Sequence, residues 1–343
     1  MTFKAIRDLL FLLPPEVSHH VSMHAINLLG HTNLSPLMAR PMVSDPVDVM
    51  GISFPNRVGL AAGLDKDAAY IDGLGKLGFG FLEVGTVTPL AQSGNDKPRM
   101  FRLTPERAII NRMGFNNEGV DALVRKVRRS NFDGVIGINI GKNKLTPSED
   151  ALSDYVACLK KVYRLASYIT INISSPNTKD LRSLQFGEEL ANLLEGIKQT
   201  HATLKEQYEH HVPIVVKIAP DMEEEELRGV CRELLKFDID GVIVSNTTVD
   251  RTSISGSLHC SETGGLSGAP LFERSNRALE LVVSELKGKM AIIGVGGIMS
   301  GADAAEKIRL GADLIQLYTG FIYSGPDLIE ASALAIASAN TKS

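Results

Sequence analysis

From about residue 55 onward, eight short apolar runs alternate with eight longer amphipathic stretches, and no Gly-x-Gly-x-x-Gly turn follows the first run. These two observations predict an α/β chain folded as a (β/α)8 TIM barrel, because a doubly wound sheet would carry that glycine turn at its first strand. A third observation agrees. Side chains suited to holding a ligand collect at the C-terminal ends of the apolar runs, where a barrel keeps its chemistry.

The expected strands are 57–60, 79–84, 134–140, 168–173, 214–218, 241–244, 291–294 and 314–317. Several are unbroken apolar runs, as strands covered on both faces require. The expected helices are 67–77, 118–129, 148–166, 187–208, 223–236, 271–286, 301–310 and 326–337. The acidic run from Glu223 to Glu226 reads as a solvated helix start favoured by the macrodipole. Residues 85–117 are too long for a plain βα turn and predict a functional insertion.

The N-terminus reads differently. Phe3, Ile6, Leu10 and Leu13 fall at helical spacing, Pro14-Pro15 stops that helix, and a second one runs from Pro15-Glu16 to Gly30. Residues 1–40 are therefore expected to be a small two-helix extension with a linker, and 41–343 the barrel. Such helices either lie in a bilayer interface or pack on the barrel as a further layer. His20 and His24 have the spacing of a metal pair, but no third ligand stands near them in sequence, so no metal is expected.

Composition excludes other classes. With 36 Lys+Arg against 40 Asp+Glu there is no electrostatic footprint for nucleic acid. Three cysteines without a C-x-x-C spacing argue against a disulfide scaffold and for a reducing compartment. No apolar run reaches the ~18 residues that a spanning helix needs.

Reading only the strand ends gives 61–66, Gly85-Thr86, Asn139, Asn172 with 174–178, Lys217, 245–248, Gly296-Gly297 and 318–320. No metal-ligand set or carboxylate pair is among them, which weakens metal-assisted hydrolysis and glycoside cleavage. Gly296-Gly297 with Tyr318-Thr319-Gly320 predicts a phosphate site. Asn139, Asn172 and Asn246 offer donors and acceptors in a row, which suits a flavin or a pyrimidine, although a single strand-end Asn often only caps a turn. Lys217, inside an apolar strand, needs an anionic partner.

Six strings in this order carry a family resemblance: 59–66 (GLAAGLDK), 111–116 (NRMGFN), 172–178 (NISSPNT), 245–248 (SNTT), 264–268 (GGLSG) and 294–298 (GVGGI). Together they resemble the class 2, quinone-dependent dihydroorotate dehydrogenases over essentially the whole chain. The resemblance implies a barrel with one FMN at its top, oxidising (S)-dihydroorotate to orotate in pyrimidine biosynthesis. By matching position it implies FMN contacts from Ala62, Gly63, Leu64, Asp65, Lys66, Thr86, Asn139 and Asn172. Lys217, Ser245, Gly268, Gly297, Tyr318 and Thr319 complete that set. It implies substrate contacts from Lys66, Asn111, Arg112, Met113, Gly114, Phe115, Asn172, Asn177, Asn246 and Thr247. Ser175 is the implied base; class 1 relatives carry Cys there, so serine points away from the soluble, fumarate- or NAD-linked enzymes.

The same resemblance implies that the N-terminal helices form a quinone tunnel, with His19, Arg102 and Tyr318 along it. The expectation is then a monomeric peripheral protein on the cytoplasmic face of a bacterial inner membrane, resting on the lipid through residues 1–30 and passing electrons to a membrane quinone. Four positions depart from the family pattern: Ser245 where Thr is usual, Lys179-Asp180 where Pro-Gly is common, and Ala269 where a larger residue is common.

Overall fold

The computed structural model describes residues 3–30, 32 and 40–340. Helices α1 (Phe3–Leu10) and α2 (Pro15–Gly30) come first, followed by an antiparallel hairpin of β1 (Val47–Val49) and β2 (Ile52–Phe54). The chain continues through β3 (Val58–Leu60), α3 (Ile71–Leu74), β4 (Phe81–Val87), β5 (Met100–Leu103), β6 (Ala108–Asn111), α4 (Val120–Arg129) and β7 (Val135–Ile140). Next are α5 (Ala151–Val162), β8 (Tyr168–Asn172), α6 (Gly187–Tyr208), β9 (Ile214–Ile218), α7 (Glu224–Lys236) and β10 (Gly241–Val244). The last elements are β11 (Gly265–Gly268), α8 (Phe272–Leu286), β12 (Ala291–Val295), α9 (Gly301–Arg309), β13 (Leu314–Leu317), α10 (Thr319–Ser324) and α11 (Pro326–Asn340).

Strands β3, β4, β7, β8, β9, β10, β12 and β13 pair in parallel and close on themselves, β13 against β3. These are the eight expected strands, and the chain is a (β/α)8 barrel. Their side chains are buried on both faces, which is why the runs lack alternation. The β1–β2 hairpin, unforeseen because its strands are three residues each, plugs the barrel floor: Val49 and Phe54 pack with Phe81, Tyr168, Val215 and Ile293.

Three helices differ from expectation for local reasons. The stretch 67–77 is helical only over α3 and a following 3₁₀ turn, Gly75–Leu77. Both oxygens of Asp65 accept backbone N–H groups, from Ala69 and Tyr70 at 2.8 Å each, and Ala68 is left-handed, so the chain turns before it can coil. The start of 148–166 is a 3₁₀ turn, Ser148–Asp150. Glu223 stands outside α7 as its N-cap, in a reciprocal capping box with Glu226. The long insertion 85–117 holds β5 and β6, which pair with β11 in a second, antiparallel sheet.

Of the two placements expected for the N-terminal helices, packing on the barrel is seen for the second. Helix α2 packs on α3 and β5 and buries Ser18, Met23 and Gly30, whereas α1 has no fully buried residue. Among the described residues no helix is long and apolar enough to cross a membrane.

Candidate active site

A cavity opens at the C-terminal ends of the barrel strands, walled by residues from the loops after most of them. On its β3 side, Ala62 and Gly63 line the wall, and Lys66 Nζ donates to Gly63 O at 2.8 Å. Burial holds the Lys66 ammonium down at about 8. Leu64 and Asp65 do not line the cavity: Leu64 belongs to the core, and Asp65 is spent on the turn described above.

The asparagines sit in one polar network with Thr86, Glu83 and Ser174. Thr86 Oγ1 and Asn172 Nδ2 both donate to Asn139 Oδ1, at 2.6 and 3.2 Å. Asn139 Nδ2 donates in turn to Glu83 Oε1 at 2.8 Å. Asn139 is wholly buried and lies outside the cavity lining, so it orients Thr86 and Asn172, which do line it. Asn172 Oδ1 accepts from the Ser174 hydroxyl at 2.9 Å, and Asn246 Nδ2 donates to the same hydroxyl at 2.8 Å.

Glu83 was not singled out by sequence reading. Its carboxylate sits inside the barrel and also accepts from Tyr168 and Gln316. The available signal was an acidic residue within the apolar run 79–87, where an unpaired charge is not tolerated.

Lys217 lines the cavity, nearly fully buried, and has no hydrogen-bond acceptor among the described residues. Burial lowers its pKa, with nearby Glu83 opposing. Gln316, also on the wall, leaves its buried Oε1 without a partner. These two atoms are a donor and an acceptor facing a site that a polar, anionic ring edge would satisfy, so the residues present fit a flavin.

Ser175 is buried in the lining, and its Oγ accepts from Asn177 N at 3.2 Å. Asn177 Nδ2 donates to Asn111 O at 3.1 Å, which ties the Ser175 loop to the end of β6. Met113, Gly114 and Phe115 line the cavity, but Arg112 does not. Its guanidinium pairs with Glu262 at 2.6 Å and lies over the Phe101 ring. Ser245, Asn246 and Thr247 line the opposite wall. The Gly85–Thr86 and Val244–Ser245 peptides are both cis.

At the predicted phosphate corner, Gly268, Gly296, Gly297, Tyr318, Thr319 and Gly320 come together. Gly297 is left-handed, and a Cβ there would stand 2.3 Å from Phe272 Cα. The glycine is thus needed to seat the loop on the start of α8.

Of the three tunnel residues, Tyr318 lines the cavity and its hydroxyl lies 3.4 Å from Gly63 O. Arg102 lies beneath the end of α1, donating to Phe11 O at 2.9 Å with its guanidinium 3.9 Å over the Phe11 ring. His19 sits on α2. Burial, and after it the charge of Lys66, hold its ring near 3, so it is neutral at pH 7. His24 of the His20/His24 pair is bonded to His20 O and Tyr70, and no metal-ligating cluster exists among the described residues.

The chain matches a family model described as dihydroorotate dehydrogenase over residues 46–337. It is 55% identical to a dihydroorotate dehydrogenase (quinone) of Saccharophagus degradans, covering 98% of this chain and 99% of the relative. It is 56% identical to one of Teredinibacter turnerae, covering 96% and 98%. Among solved structures it is similar to the Eimeria tenella dihydroorotate dehydrogenase crystallised with ferulenol. That likeness has a TM-score of 0.87 and 37% identity, and covers 96% of this chain and 92% of the other. With its barrel, its buried lysine and asparagine layer, and near-full-length relatives of one name, the chain belongs to the dihydroorotate dehydrogenase family, an oxidoreductase family, on its quinone-dependent branch.

Proposed function

We propose that this enzyme oxidises (S)-dihydroorotate to orotate, with FMN as its cofactor and a membrane quinone as the final acceptor. The observation that carries the reading is that Ser175, Lys66, Asn111, Asn177 and Asn246 share one cavity with Lys217, which has no acceptor among the described residues. Lys217, Thr86 and Asn172 would hold the flavin ring, and Gly268, Gly297 and Thr319 its phosphate. FMN, when bound, supplies the acceptor for the hydride that leaves C6.

The protein side follows from residue types. Ser175 Oγ would take the C5 proton as its own hydroxyl proton passes to water at the cavity mouth, and its hydrogen bond from Asn177 N favours the negative charge that develops on the oxygen. The Lys66 ammonium pairs with the substrate carboxylate, and the asparagine amides with its ring N–H and C=O groups. Lys217 offsets negative charge on the reduced ring. The apolar outer face of α1 and the start of α2 would rest on a membrane surface, on the cytoplasmic side of a bacterial inner membrane, with Arg102, His19 and Tyr318 on the quinone's path.

An anaerobic titration tests the reading. Dihydroorotate should bleach the flavin of the purified protein, a quinone should restore it, and fumarate should not. Ser175→Ala should keep its FMN while bleaching ~10²–10⁴-fold more slowly. A yellow protein that dihydroorotate leaves unbleached overturns it.

A further inference from the structure

We infer that Arg182 and Asp221 form a clamp that positions Ser175 for proton removal; this deepens the reading of Ser175 as base and rests on it. Arg182 lies in the 3₁₀ turn Leu181–Gln185, beyond the Ser175 loop. Neither residue lines the cavity, so both act through others.

The guanidinium reaches three different loops. Nε donates to Ser174 O at 3.0 Å, Nη2 to Thr247 O at 3.0 Å, and Nη1 to Asp221 Oδ2 at 2.9 Å. Asp221, just past β9, also accepts from Val249 N at 2.9 Å and from the Thr248 hydroxyl. Arg274 of α8 stands 3.7 Å away on its other side. One ion pair therefore joins the loops after β8, β9 and β10, which carry Ser175 and the Asn246–Thr247 pair.

The consequence falls on Ser174. Its hydroxyl is held by Asn172 and Asn246, and its carbonyl by Arg182. The residue before the base is thus fixed at both ends, whereas the Ser175 side chain has a single hydrogen bond among the described residues, from Asn177 N. Its place is inherited from Ser174. Misplacing a reacting group by about 1 Å costs up to ~10²-fold in rate. An exposed ion pair would have little such leverage, but this one is largely buried, and its planar fork addresses acceptors in three directions. A lysine has its three donors on a single nitrogen and cannot reach all three acceptors, which the arginine meets with three separate nitrogens.

The test measures the two half-reactions of FMN-loaded enzyme separately by anaerobic stopped flow. In Arg182→Ala, bleaching by dihydroorotate should slow ~10- to 100-fold, while quinone reoxidation of chemically reduced enzyme and the flavin spectrum stay at wild-type values. Arg182→Lys should resemble Arg182→Ala, since charge alone does not rescue the fork. Asp221→Asn, which keeps size and one acceptor, should also slow bleaching and serves if Arg182→Ala does not fold. A slowing under fivefold in these variants, an equal fall in both half-reactions, or full rescue by lysine overturns the clamp. Wild-type enzyme that dihydroorotate fails to bleach would instead overturn the proposed function.

Discussion

Lys66 holds its charge against its surroundings. Burial brings its ammonium down to about 8 from an ordinary 10.5, and only the protonated form can pair with a carboxylate. Since kcat/KM follows the free enzyme, it should fall on the alkaline side with an apparent pKa of about 8, about tenfold per pH unit beyond it. Stability should move the opposite way. Between about 8 and 10.5 the unfolded chain binds a proton that the folded one has released, so folding is favoured as pH rises there. A pH profile of kcat/KM beside thermal midpoints at the same pH values checks both signs; a flat alkaline limb would mean that Lys66 does not meet the substrate carboxylate. Lys66 was readable because it ends a strand-end string. Arg182 and Asp221 were not, because neither stands at a strand end and each acts through another residue.

Helix α2 is docked by glycine. A Cβ on Gly73 of α3 would stand 2.8 Å from Ile26 O and 2.9 Å from Asn27 Cα, and one on Gly30 would stand 2.9 Å from Gly73 Cα. Alanine in a helix usually gains up to ~1 kcal/mol over glycine. Here the contacts are with backbone, which cannot swing aside, and overpacking costs ~1–3 kcal/mol. Gly73→Ala should therefore lower the thermal midpoint and weaken quinone turnover, since α2 carries His19 beside Lys66 and Glu16 against Arg99 at 2.9 Å. A raised midpoint would show slack in the crossing. The barrel strands were readable because each lies in a short apolar run between turn residues. The β5–β6–β11 sheet was not, because β6 and β11 are joined by pairs such as Asn111 with Gly265, far apart in sequence and set by tertiary packing.

At the scale of the whole molecule, the lobe and barrel share a boundary that the sequence pattern drew more sharply than the contacts do. Helix α2 is bound into the catalytic domain through Met23 and the Glu16–Arg99 pair, so removing residues 1–30 would disturb the active site as well as any membrane contact. The outward face is separable by point changes. Leu9 is 62% exposed and Leu12 81%, and Ile6, Val17 and Val21 are exposed with them. Residues 3–30 carry Lys4 and Arg7 against Asp8 and Glu16, so the lobe has no net charge to draw it to lipid. Any binding must then be apolar and nearly indifferent to salt. Each leucine moved from water into lipid contributes ~1.5–3 kcal/mol, so Leu9→Glu with Leu12→Glu should cut the partition onto phosphatidylethanolamine–phosphatidylglycerol vesicles by at least ~10²-fold. Bleaching by dihydroorotate and turnover with a short-chain quinone should persist, while turnover with a long-chain quinone in the same vesicles falls. Co-sedimentation that survives the double change, or that salt abolishes in the unaltered protein, would place the membrane contact on another face.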